Sequence, residues 1–272
     1  MPISPMPVVP MPIRKLPADL AAQIAAGEVV ERPVSVVKEL VENSLDATAS
    51  RIVVEIKGGG IDQVRVTDDG TGIPAGEVNL AFQRHATSKL DSPALLDAIP
   101  TLGFRGEALP SIAAVSRVSI TTRPPAADAG FIAELVWGAL ERSGAYGCPP
   151  GTTIDVRDLF GNLPARRRFL KSPNAESGRV HDLVARYALA YPEVSFLLKI
   201  GDRTALTTPG DGSRTNAALA VYGADAAGQL LEIDAADPES GYLVEGFASN
   251  PSLHRANRTY WSGRGHWANR TY

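Results

Sequence analysis

The segment PVSVVKELVENSLDA, residues 33–47, has a clear helical pattern. At about 100° per residue its apolar residues share one side, and Glu39, Glu42, Asn43 and Asp46 share the other. A helix face made only for water usually mixes charge signs and uses Lys–Glu pairs. This face carries three acids and an amide, with a single lysine at its far end, and that choice of residues indicates a chemical role.

Alternation between apolar and polar residues predicts strands at RIVVEIKGG, QVRVTDDG, RVSITTR, FIAELVW, TTIDVRDLF and VSFLLKI. Helical spacing predicts further helices over residues 17–30 and 76–90, over a short segment that follows the glycines at 102–109, and over RVHDLVARYALAYP. The strands are joined mainly as hairpins. This mixture predicts an α+β fold in which one sheet carries helices on one face.

The pattern restarts after GDGSRTN, residues 210–216, with a short helix at AALAVYG and strands near LLEIDA and YLVEGFAS. We therefore place a domain boundary near residue 212. Residues 213–272 are too few for a typical independent domain, so we expect an incomplete second domain. Residues 1–12 are rich in Pro and Met, lack periodicity and are predicted to be a disordered tail, which leaves 13–212 as the first domain.

Composition narrows the possible classes of function. The chain of 272 residues is 44% hydrophobic and 21% charged, which is typical of globular proteins. Because its formal net charge is only −3, any contact with nucleic acid depends on local basic patches. Cys148 is the single cysteine, so an intrachain disulfide is excluded, and this fits a reducing cytoplasm. We recognise no membrane-spanning run and no signal peptide.

Two common nucleotide-binding motifs are absent: the sequence has no G-x-x-x-x-G-K-[ST] loop, and no strand leads into G-x-G-x-x-G. Its four histidines show no metal-ligand spacing. The stretch TDDGTGI instead places Asp68 at a strand end, before Gly70 and Gly72. Glycines let the backbone approach a flat ligand, and a carboxylate there can accept a hydrogen bond from an exocyclic amine such as that of adenine. For these residues alone, a plain acidic turn is the simpler interpretation.

The stretch LGFRGEAL, residues 102–109, has two glycines that flank an arginine. Gly103 and Gly106 can present backbone N–H groups to a phosphate at a helix start, and Arg105 adds positive charge. A flexible loop explains the same residues equally well. The stretch RHATSKL adds hydroxyl and ammonium groups that suit phosphate oxygens, although a polar helix end would look the same. These groups belong to Thr87, Ser88 and Lys89.

The order of these motifs is more specific than any one of them. An acidic and amide helix, D-x-G-x-G, GFRGEAL and PGTTIDVRDLF follow one another, as in the GHKL class of ATPases shared by DNA gyrase, heat-shock chaperones, histidine kinases and MutL proteins. Within this class, IAAGEVVERP, KELVENSLDA, RHATSK, GFRGEAL and LPARRRFL resemble the MutL family of DNA mismatch repair proteins. The resemblance covers residues 13–258. It implies a two-layer α/β sandwich of the GHKL (Bergerat) type, followed by part of a ribosomal-protein-S5-like α/β domain.

The resemblance implies a role for each matching residue. Glu39 corresponds to the general base that activates the attacking water, and Asn43, one helical turn on, to the Mg²⁺ ligand. Asp68 corresponds to the carboxylate that reads adenine, and Thr152 to the threonine near that carboxylate. The lid over the phosphates is implied for Thr87, Ser88, Lys89, Gly103, Arg105 and Gly106. Further nucleotide contacts are implied for Gly70, Gly72, Leu102, Phe104, Glu107, Ala108 and Leu109.

Four residues raise separate questions. Asp69 stands where the family commonly has Asn, and its extra carboxylate would weaken nucleotide binding unless it points to solvent. Pro110 follows GEAL where a helix usually continues, and proline is tolerated only in a first turn. For Glu42 and Asp46 we favour solvation or support of the neighbouring residues. The family's second domain provides a lysine to the γ-phosphate, and we expect this chain to stop before that lysine.

Basic residues cluster in LPARRRFLK and in HRANR. In the family, DNA runs along a basic groove formed by paired amino-terminal regions, so Arg166, Arg167, Arg168, Arg255 and Arg258 are candidates for DNA binding. Such a patch would make binding steeply dependent on salt. The alternative is that the arginines fix a loop to nearby carboxylates, which we favour for the first three.

The resemblance implies Mg²⁺-dependent hydrolysis of ATP that drives an amino-terminal dimerisation clamp. The implied partners are a MutS-type mismatch sensor, DNA, a strand-nicking endonuclease or helicase, and a second copy of the chain once ATP is bound. The expected location is the bacterial cytosol or nucleoid, with no membrane. Two alternatives remain: a topoisomerase- or kinase-type relative, against which GFRGEAL and ELVENSLDA argue, and a nucleotide- and DNA-binding adaptor that does not hydrolyse ATP because the second-domain lysine is missing.

Overall fold

The computed structural model describes residues 29–87, 101–103, 106–237, 242–249 and 263–266. Its main sheet contains the strands β1 (Arg51–Lys57), β2 (Gln63–Asp68), β3 (Arg117–Arg123), β4 (Gly130–Val136), β5 (Ala139–Tyr146), β6 (Gly151–Arg157), β7 (Ser195–Ile200) and β8 (Arg203–Thr207). They are arranged in the order β5-β4-β3-β6-β2-β1-β7-β8. Strands β1 and β7 are parallel, and the other neighbours are antiparallel.

Helices cover one face of this sheet. They are α1 (Pro33–Asp46), α2 (Ala75–Val78), α3 (Ala108–Ala114), α4 (Pro164–Arg167) and α5 (Pro173–Ala190), with 3₁₀ turns at Gly58–Gly60 and Leu80–Phe82. One apolar core lies between the two layers, and alternate residues of the strands point into it. The predicted α+β fold, one sheet with helices on one face, is confirmed.

The opposite face of the sheet is polar, and charged residues form a row across it. The register places Lys199 opposite Glu55, Glu55 opposite Arg65, and Arg65 opposite Asp155. Lys199 Nζ lies 3.2 Å from Glu55 Oε1, and Arg65 lies 2.8 Å from Asp155 Oδ2. Cross-strand pairs of opposite charge stabilise a sheet face that is open to water.

Helix α1 forms as its pattern predicts. Pro33 occupies the first helical turn, where its missing N–H is not needed. The apolar residues Val36, Val37, Leu40 and Val41 are fully or almost fully buried against the sheet. The helix ends at Asp46, and Thr48 just after it has a positive φ of 55°, which is incompatible with a continuing helix.

The prediction of one helix over residues 76–90 is wrong. Helix α2 ends at Val78, a 3₁₀ turn follows, and His85 has φ of 63°, which an α-helix excludes. Residues 17–28 of another predicted helix, and the tail predicted over 1–12, lie outside the described residues. Helix α3 starts at Ala108, so Pro110 lies in its first turn and breaks no helical hydrogen bond.

A second sheet follows residue 213. Helices α6 (Arg214–Tyr222) and α7 (Ala224–Ala227) precede β9 (Leu230–Asp237), β10 (Tyr242–Ser249) and β11 (Gly263–His266), which pair antiparallel in the order β11-β10-β9. The short helix and two strands predicted here are therefore present. A small apolar cluster joins Leu189 of α5 to Ala217 and Ala218 of α6. The boundary near 212 and the S5-like character of this part stay predictions.

We predict that Asp155→Asn makes the stability of the chain depend less on pH. Partial burial alone would raise the pKa of Asp155, but hydrogen bonds from Arg157, Gln63 and Arg65 outweigh it and lower the pKa below the ordinary 3.8. The charged form therefore stabilises the fold, by roughly 1.5–3 kcal/mol for a hydrogen bond to a charged group. The variant should unfold at lower temperature at pH 7.

The difference in unfolding temperature between Asp155→Asn and the parent chain should shrink as the pH falls through 3.8. It should vanish below the lowered folded-state pKa of Asp155, because both chains then carry a neutral group at this position. Thermal melts at several pH values would measure this. Asp128→Asn, at an exposed position, is the matched control. An equal gap between Asp155→Asn and the parent chain at every pH would contradict the charge-based account.

Candidate active site

Helix α1 brings Glu39 and Asn43 onto one face, as their spacing of four residues requires. The Glu39 side chain is 24% exposed, and Asn43 is half-buried. Around the helix, Ser44 lies on the first flank of this pair and Asp46 on the second. Both flanking residues bind other elements, so the face that carries Glu39 and Asn43 is held at both sides.

On the first flank, Ser44 fixes the carboxylate of Asp68 at the end of β2. Ser44 Oγ donates to Asp68 Oδ2 at 2.8 Å, and the N–H groups of Gly70 and Thr152 donate to Asp68 Oδ1 at 3.0 and 3.2 Å. Burial raises the pKa of Asp68, and these hydrogen bonds offset the rise only in part. A carboxylate has about four acceptor positions. Asp68 therefore keeps the capacity to accept one more hydrogen bond.

A buried threonine that the sequence did not single out supports this corner. Thr122 of β3 is fully buried. Its Oγ1 accepts a hydrogen bond from Ile73 N at 2.8 Å and lies 3.1 Å from the Gly151 carbonyl oxygen and 3.0 Å from Thr152 Oγ1. Thr122 thus connects the loop after β2 to the start of β6. The segment RVSITTR has the pattern of an ordinary strand, so nothing in the local sequence distinguishes Thr122 from its neighbours.

The glycines of TDDGTGI are required by backbone packing. A Cβ on Gly70 would lie 2.7 Å from the Ala47 carbonyl oxygen at the end of α1. Gly72 has φ of 66°, and its Cβ would lie 2.5 Å from the Arg123 carbonyl oxygen. Only glycine allows both approaches. The two contacts draw the loop after β2 against α1 and β3, and so place Asp68 beside α1.

Asp69 turns away from Asp68. Its Oδ1 accepts the N–H groups of Ser50 and Arg51 at 2.9 and 2.8 Å, and its Oδ2 accepts the Ser50 hydroxyl at 2.7 Å. Partial burial would raise the pKa of Asp69, but these hydrogen bonds outweigh it and lower the pKa. The carboxylate therefore fixes the start of β1. Its negative charge is still the smallest of the causes that raise the pKa of Asp68, so its effect on nucleotide binding stays an open expectation of the sequence.

On the second flank of α1, Asp46 holds the first residues of the LGFRGEAL stretch. Leu102 N donates to Asp46 Oδ1 at 3.0 Å, and Gly103 N donates to Asp46 Oδ2 at 3.1 Å. In the structure, then, the Gly103 N–H binds this carboxylate. Of the two interpretations offered for Asp46, solvation or support of neighbouring residues, these hydrogen bonds favour support, although the sequence gives no sign that residues 102–103 return to the end of α1.

The other end of the stretch lies against RHATSKL. His85 N donates to the Gly106 carbonyl at 3.2 Å, and His85 Nδ1 lies 3.4 Å from Glu107 Oε1. Ala108 begins α3, Leu109 packs against the core, and Thr87 is exposed. The two predicted lid stretches therefore meet through their described residues. Ser88, Lys89, Phe104 and Arg105 lie outside the described part of the chain.

The arginines of LPARRRFLK contact their own surroundings. Arg167 lies 2.8 Å from Asp158 Oδ1 and 3.7 Å from Asp62 Oδ1. The Arg166 guanidinium stacks 5.5 Å from the ring centroid of Phe160. Arg168 Nε donates weakly to the Pro164 carbonyl at 3.5 Å. These contacts favour the loop-fixing alternative for the three arginines. Arg255 and Arg258 lie outside the described residues.

The sheet, α1 and the Asp68 corner define a class of protein. Residues 31–153 match the family model described as histidine kinase-, DNA gyrase B- and HSP90-like ATPase. The chain is 52% identical over 240 residues to the DNA mismatch repair protein MutL of Pelotomaculum thermopropionicum, and 48% identical over 246 residues to that of Streptococcus sanguinis. The chain belongs to the MutL family of DNA mismatch repair proteins and contains the GHKL ATPase fold.

Solved structures agree with this assignment. The Aquifex aeolicus MutL ATPase domain complexed with ADP has a TM-score of 0.66 at 34% identity, over 83% of this chain and 80% of that one. The N-terminal domain of a DNA repair protein has a TM-score of 0.71 at 26% identity, over 86% of this chain and 72% of that one. The two MutL relatives are longer: the matches cover 88% and 90% of this chain but 39% and 38% of theirs.

We predict that Asp46→Ala releases residues 102–103. The N–H groups of Leu102 and Gly103 lose their acceptor, and each hydrogen bond to a charged group contributes roughly 1.5–3 kcal/mol. Amide hydrogen exchange at these two positions should then be about tenfold faster or more. The exposed Asp202→Ala is a matched control that should leave both amides as they are. Unchanged exchange at Leu102 and Gly103 in Asp46→Ala would show that Asp46 does not hold them.

Proposed function

We propose that this chain is the ATPase region of a mismatch repair protein and hydrolyses ATP to ADP and phosphate with Mg²⁺. One observation carries the proposal. Helix α1 presents Glu39 and Asn43 between Asp46, which binds Leu102 and Gly103, and Ser44, which binds Asp68. The carboxylate proposed to bind water, the amide oxygen proposed to bind a metal and the half-buried carboxylate proposed to bind the adenine base thus occupy neighbouring positions.

Asp68 is proposed to read the base of the nucleotide. Its three hydrogen bonds hold it still and leave one acceptor position, which suits the exocyclic amine of adenine. Thr152, whose N–H already binds Asp68, would lie beside the base, with Gly70 and Gly72 at its edge. The phosphates would be covered by the proposed lid residues Thr87, Ser88, Lys89, Gly103, Arg105 and Gly106. Leu102, Phe104, Glu107, Ala108 and Leu109 are proposed as further nucleotide contacts.

Glu39 is proposed as the general base. Its carboxylate would accept a proton from water as the water oxygen bonds to the γ-phosphorus. The bond between that phosphorus and the β–γ bridging oxygen breaks, and the electron pair leaves with ADP. The products are ADP and inorganic phosphate, and the proton on Glu39 is returned to solvent.

Asn43 is the proposed Mg²⁺ ligand. Among the described residues there is no group of three or more His, Cys, Asp or Glu side chains that could hold a metal by themselves. Mg²⁺ does not need such a group, because it commonly takes one or two protein oxygens together with water and substrate phosphates. The amide oxygen of Asn43 fits that donor set. The ion would neutralise charge on the β- and γ-phosphates.

We infer that nucleotide binding controls the pairing of two amino-terminal regions as a clamp. The inference rests on family membership and on the contact between Asp46 and the lid stretch. A MutS-type mismatch sensor would act before the clamp, and a strand-nicking endonuclease or helicase after it. Arg255 and Arg258 are the proposed DNA contacts, whereas the contacts of Arg166, Arg167 and Arg168 favour a role within the fold over their candidacy for DNA binding. We propose the bacterial cytosol or nucleoid as the location; among the described helices, none is long and apolar enough to cross a membrane.

A second candidate is an adaptor that binds nucleotide or DNA without hydrolysis. The observation that favours it is the Lys38 ammonium, which lies 3.4 Å from Glu39 Oε1. In this ion pair Lys38 engages the Glu39 carboxylate, which competes with the contact that a general base must make to the attacking water.

We predict that Glu39→Gln keeps the affinity for ATP but lowers phosphate release by roughly 10²–10⁴-fold, because a positioned base contributes about that factor. Asp68→Asn should instead abolish nucleotide binding, since the amide presents an N–H toward the adenine amine. Calorimetry with a non-hydrolysable ATP analogue and a phosphate-release assay, each with and without Mg²⁺, separate the two effects. If the parent chain binds ATP without Mg²⁺-dependent phosphate release, the adaptor is the correct function; full activity of Glu39→Gln would remove Glu39 as the base.

A further inference from the structure

The carboxylate proposed as the base has an ammonium group next to it that is shared with a second carboxylate. Lys38 Nζ lies 3.4 Å from Glu39 Oε1 and 2.8 Å from Glu42 Oε2. The shorter distance is that of a strong charge-assisted hydrogen bond, and the longer one is at the weak limit of hydrogen-bond geometry. Glu42 is therefore the main partner of the Lys38 ammonium.

Glu42 is held in place from a distant part of the chain. It is only 8% exposed, and the Tyr187 hydroxyl of α5 donates to Glu42 Oε1 at 2.6 Å. Burial and the hydrogen bond to Glu42 raise the pKa of Tyr187, so its hydroxyl stays protonated and remains a donor. Each Glu42 oxygen thus has a close partner, Tyr187 on one and Lys38 on the other. The carboxylate cannot turn without breaking one of these bonds.

The Tyr187 hydrogen bond is needed because the helix alone favours this ion pair weakly. A lysine that precedes a glutamate by four residues is the less favourable order for such a pair on a helix. The Lys38 side chain is also 48% exposed, so water screens its attraction to either carboxylate. If Glu42 were mobile, the ion pair between Lys38 and Glu42 would be little stronger than the one between Lys38 and Glu39.

We propose that Glu42, fixed by Tyr187, is a positioning residue that draws the Lys38 ammonium away from Glu39 and so leaves a Glu39 oxygen available to accept the proton of the attacking water. The proposal rests on the proposed role of Glu39 as the base. An ammonium in full contact would oppose proton transfer, because accepting the proton would remove the negative charge that it stabilises. Glu42 and Tyr187 act only through Lys38, and neither is a catalytic residue.

The test compares the parent chain with Glu42→Gln, Tyr187→Phe and the double variant Lys38→Met/Glu42→Gln. In Glu42→Gln, Lys38 should move onto Glu39, and kcat should fall on the order of tenfold, a part of the roughly 10²–10⁴-fold that a base supplies. KM for ATP should not change. Tyr187→Phe should show a smaller fall in the same direction. The double variant has no ammonium to misplace and should regain most of the parent kcat.

A structural readout does not depend on turnover. In crystals of nucleotide-free Glu42→Gln, Lys38 Nζ should lie within about 3 Å of a Glu39 oxygen. Glu134→Gln is the matched control, because it removes the exposed ion pair with Arg142, at 2.7 Å on β4 and β5, and should leave kcat, KM and the Lys38 position as they are.

Parent kcat in Glu42→Gln, or a loss that persists when Lys38 is also replaced, would overturn the proposal. A fall in kcat accompanied by a matching rise in KM would do the same, since it would indicate a disturbed fold or binding site. Glu39→Gln separates this result from the proposed function. If Glu39→Gln keeps full activity, the base assignment itself fails; if it is inactive while Glu42→Gln has parent kcat, only the role of Glu42 fails.

Discussion

The half-buried carboxylate of Asp68 is the constraint on which the site depends. Removing such a group from water is costly unless it is hydrogen-bonded, and the raised pKa of Asp68 shows that part of this cost remains. Its three donors come from α1, from the loop after β2 and from the start of β6. These bonds tie α1 to the sheet at a defined position. The direction in which Glu39 and Asn43 point follows from that attachment.

The polar face of α1 carries residues that hold other parts of the fold in place as well as the residues proposed for catalysis and metal binding. Asp46 binds the backbone of residues 102–103, and Glu42 binds Tyr187 and Lys38. Two of the three acids on this face thus hold other parts of the fold in position. Glu39 and Asn43 lie beside Asp46 on this face, and their proposed roles account for an acid and an amide at these positions.

Periodicity was sufficient to predict α1, six strands of the main sheet and its single covered face, because each of these elements has one side in the core. Periodicity failed where contacts between distant parts of the chain determine the backbone conformation. His85 has a positive φ and pairs with Gly106, so the helix expected over 76–90 ends early. Strand β5 was missed because it is an edge strand whose residues are mostly exposed, and it therefore lacks alternation. Edge strand β8 was missed for the same reason.

The site residues also fall into two groups, those that local motifs identify and those whose role depends on partners distant in the chain. Glu39, Asn43, Asp68 and Thr152 could be selected from local motifs, and the structure places Asp68 and Thr152 in contact. Glu42 and Asp46 stood on the right helix face, but their partners lie elsewhere in the chain, and one sequence does not show such pairs. Buried Thr122 gave no signal, because its hydroxyl acts only after β3 and β6 have paired.

The parallel pairing of β1 with β7 has a consequence for synthesis. Residues 144 positions apart, such as Glu55 and Lys199, must meet before the sheet is complete, and the Tyr187–Glu42 bond spans 145 positions. A ribosome-bound chain that ends before α5 lacks the strand that pairs with the outer edge of β1 and lacks the Tyr187 hydroxyl that binds Glu42. Such long-range closure slows folding and exposes strand edges to aggregation. The nascent domain should therefore acquire its native helix–sheet arrangement only after β7 has left the ribosomal exit tunnel.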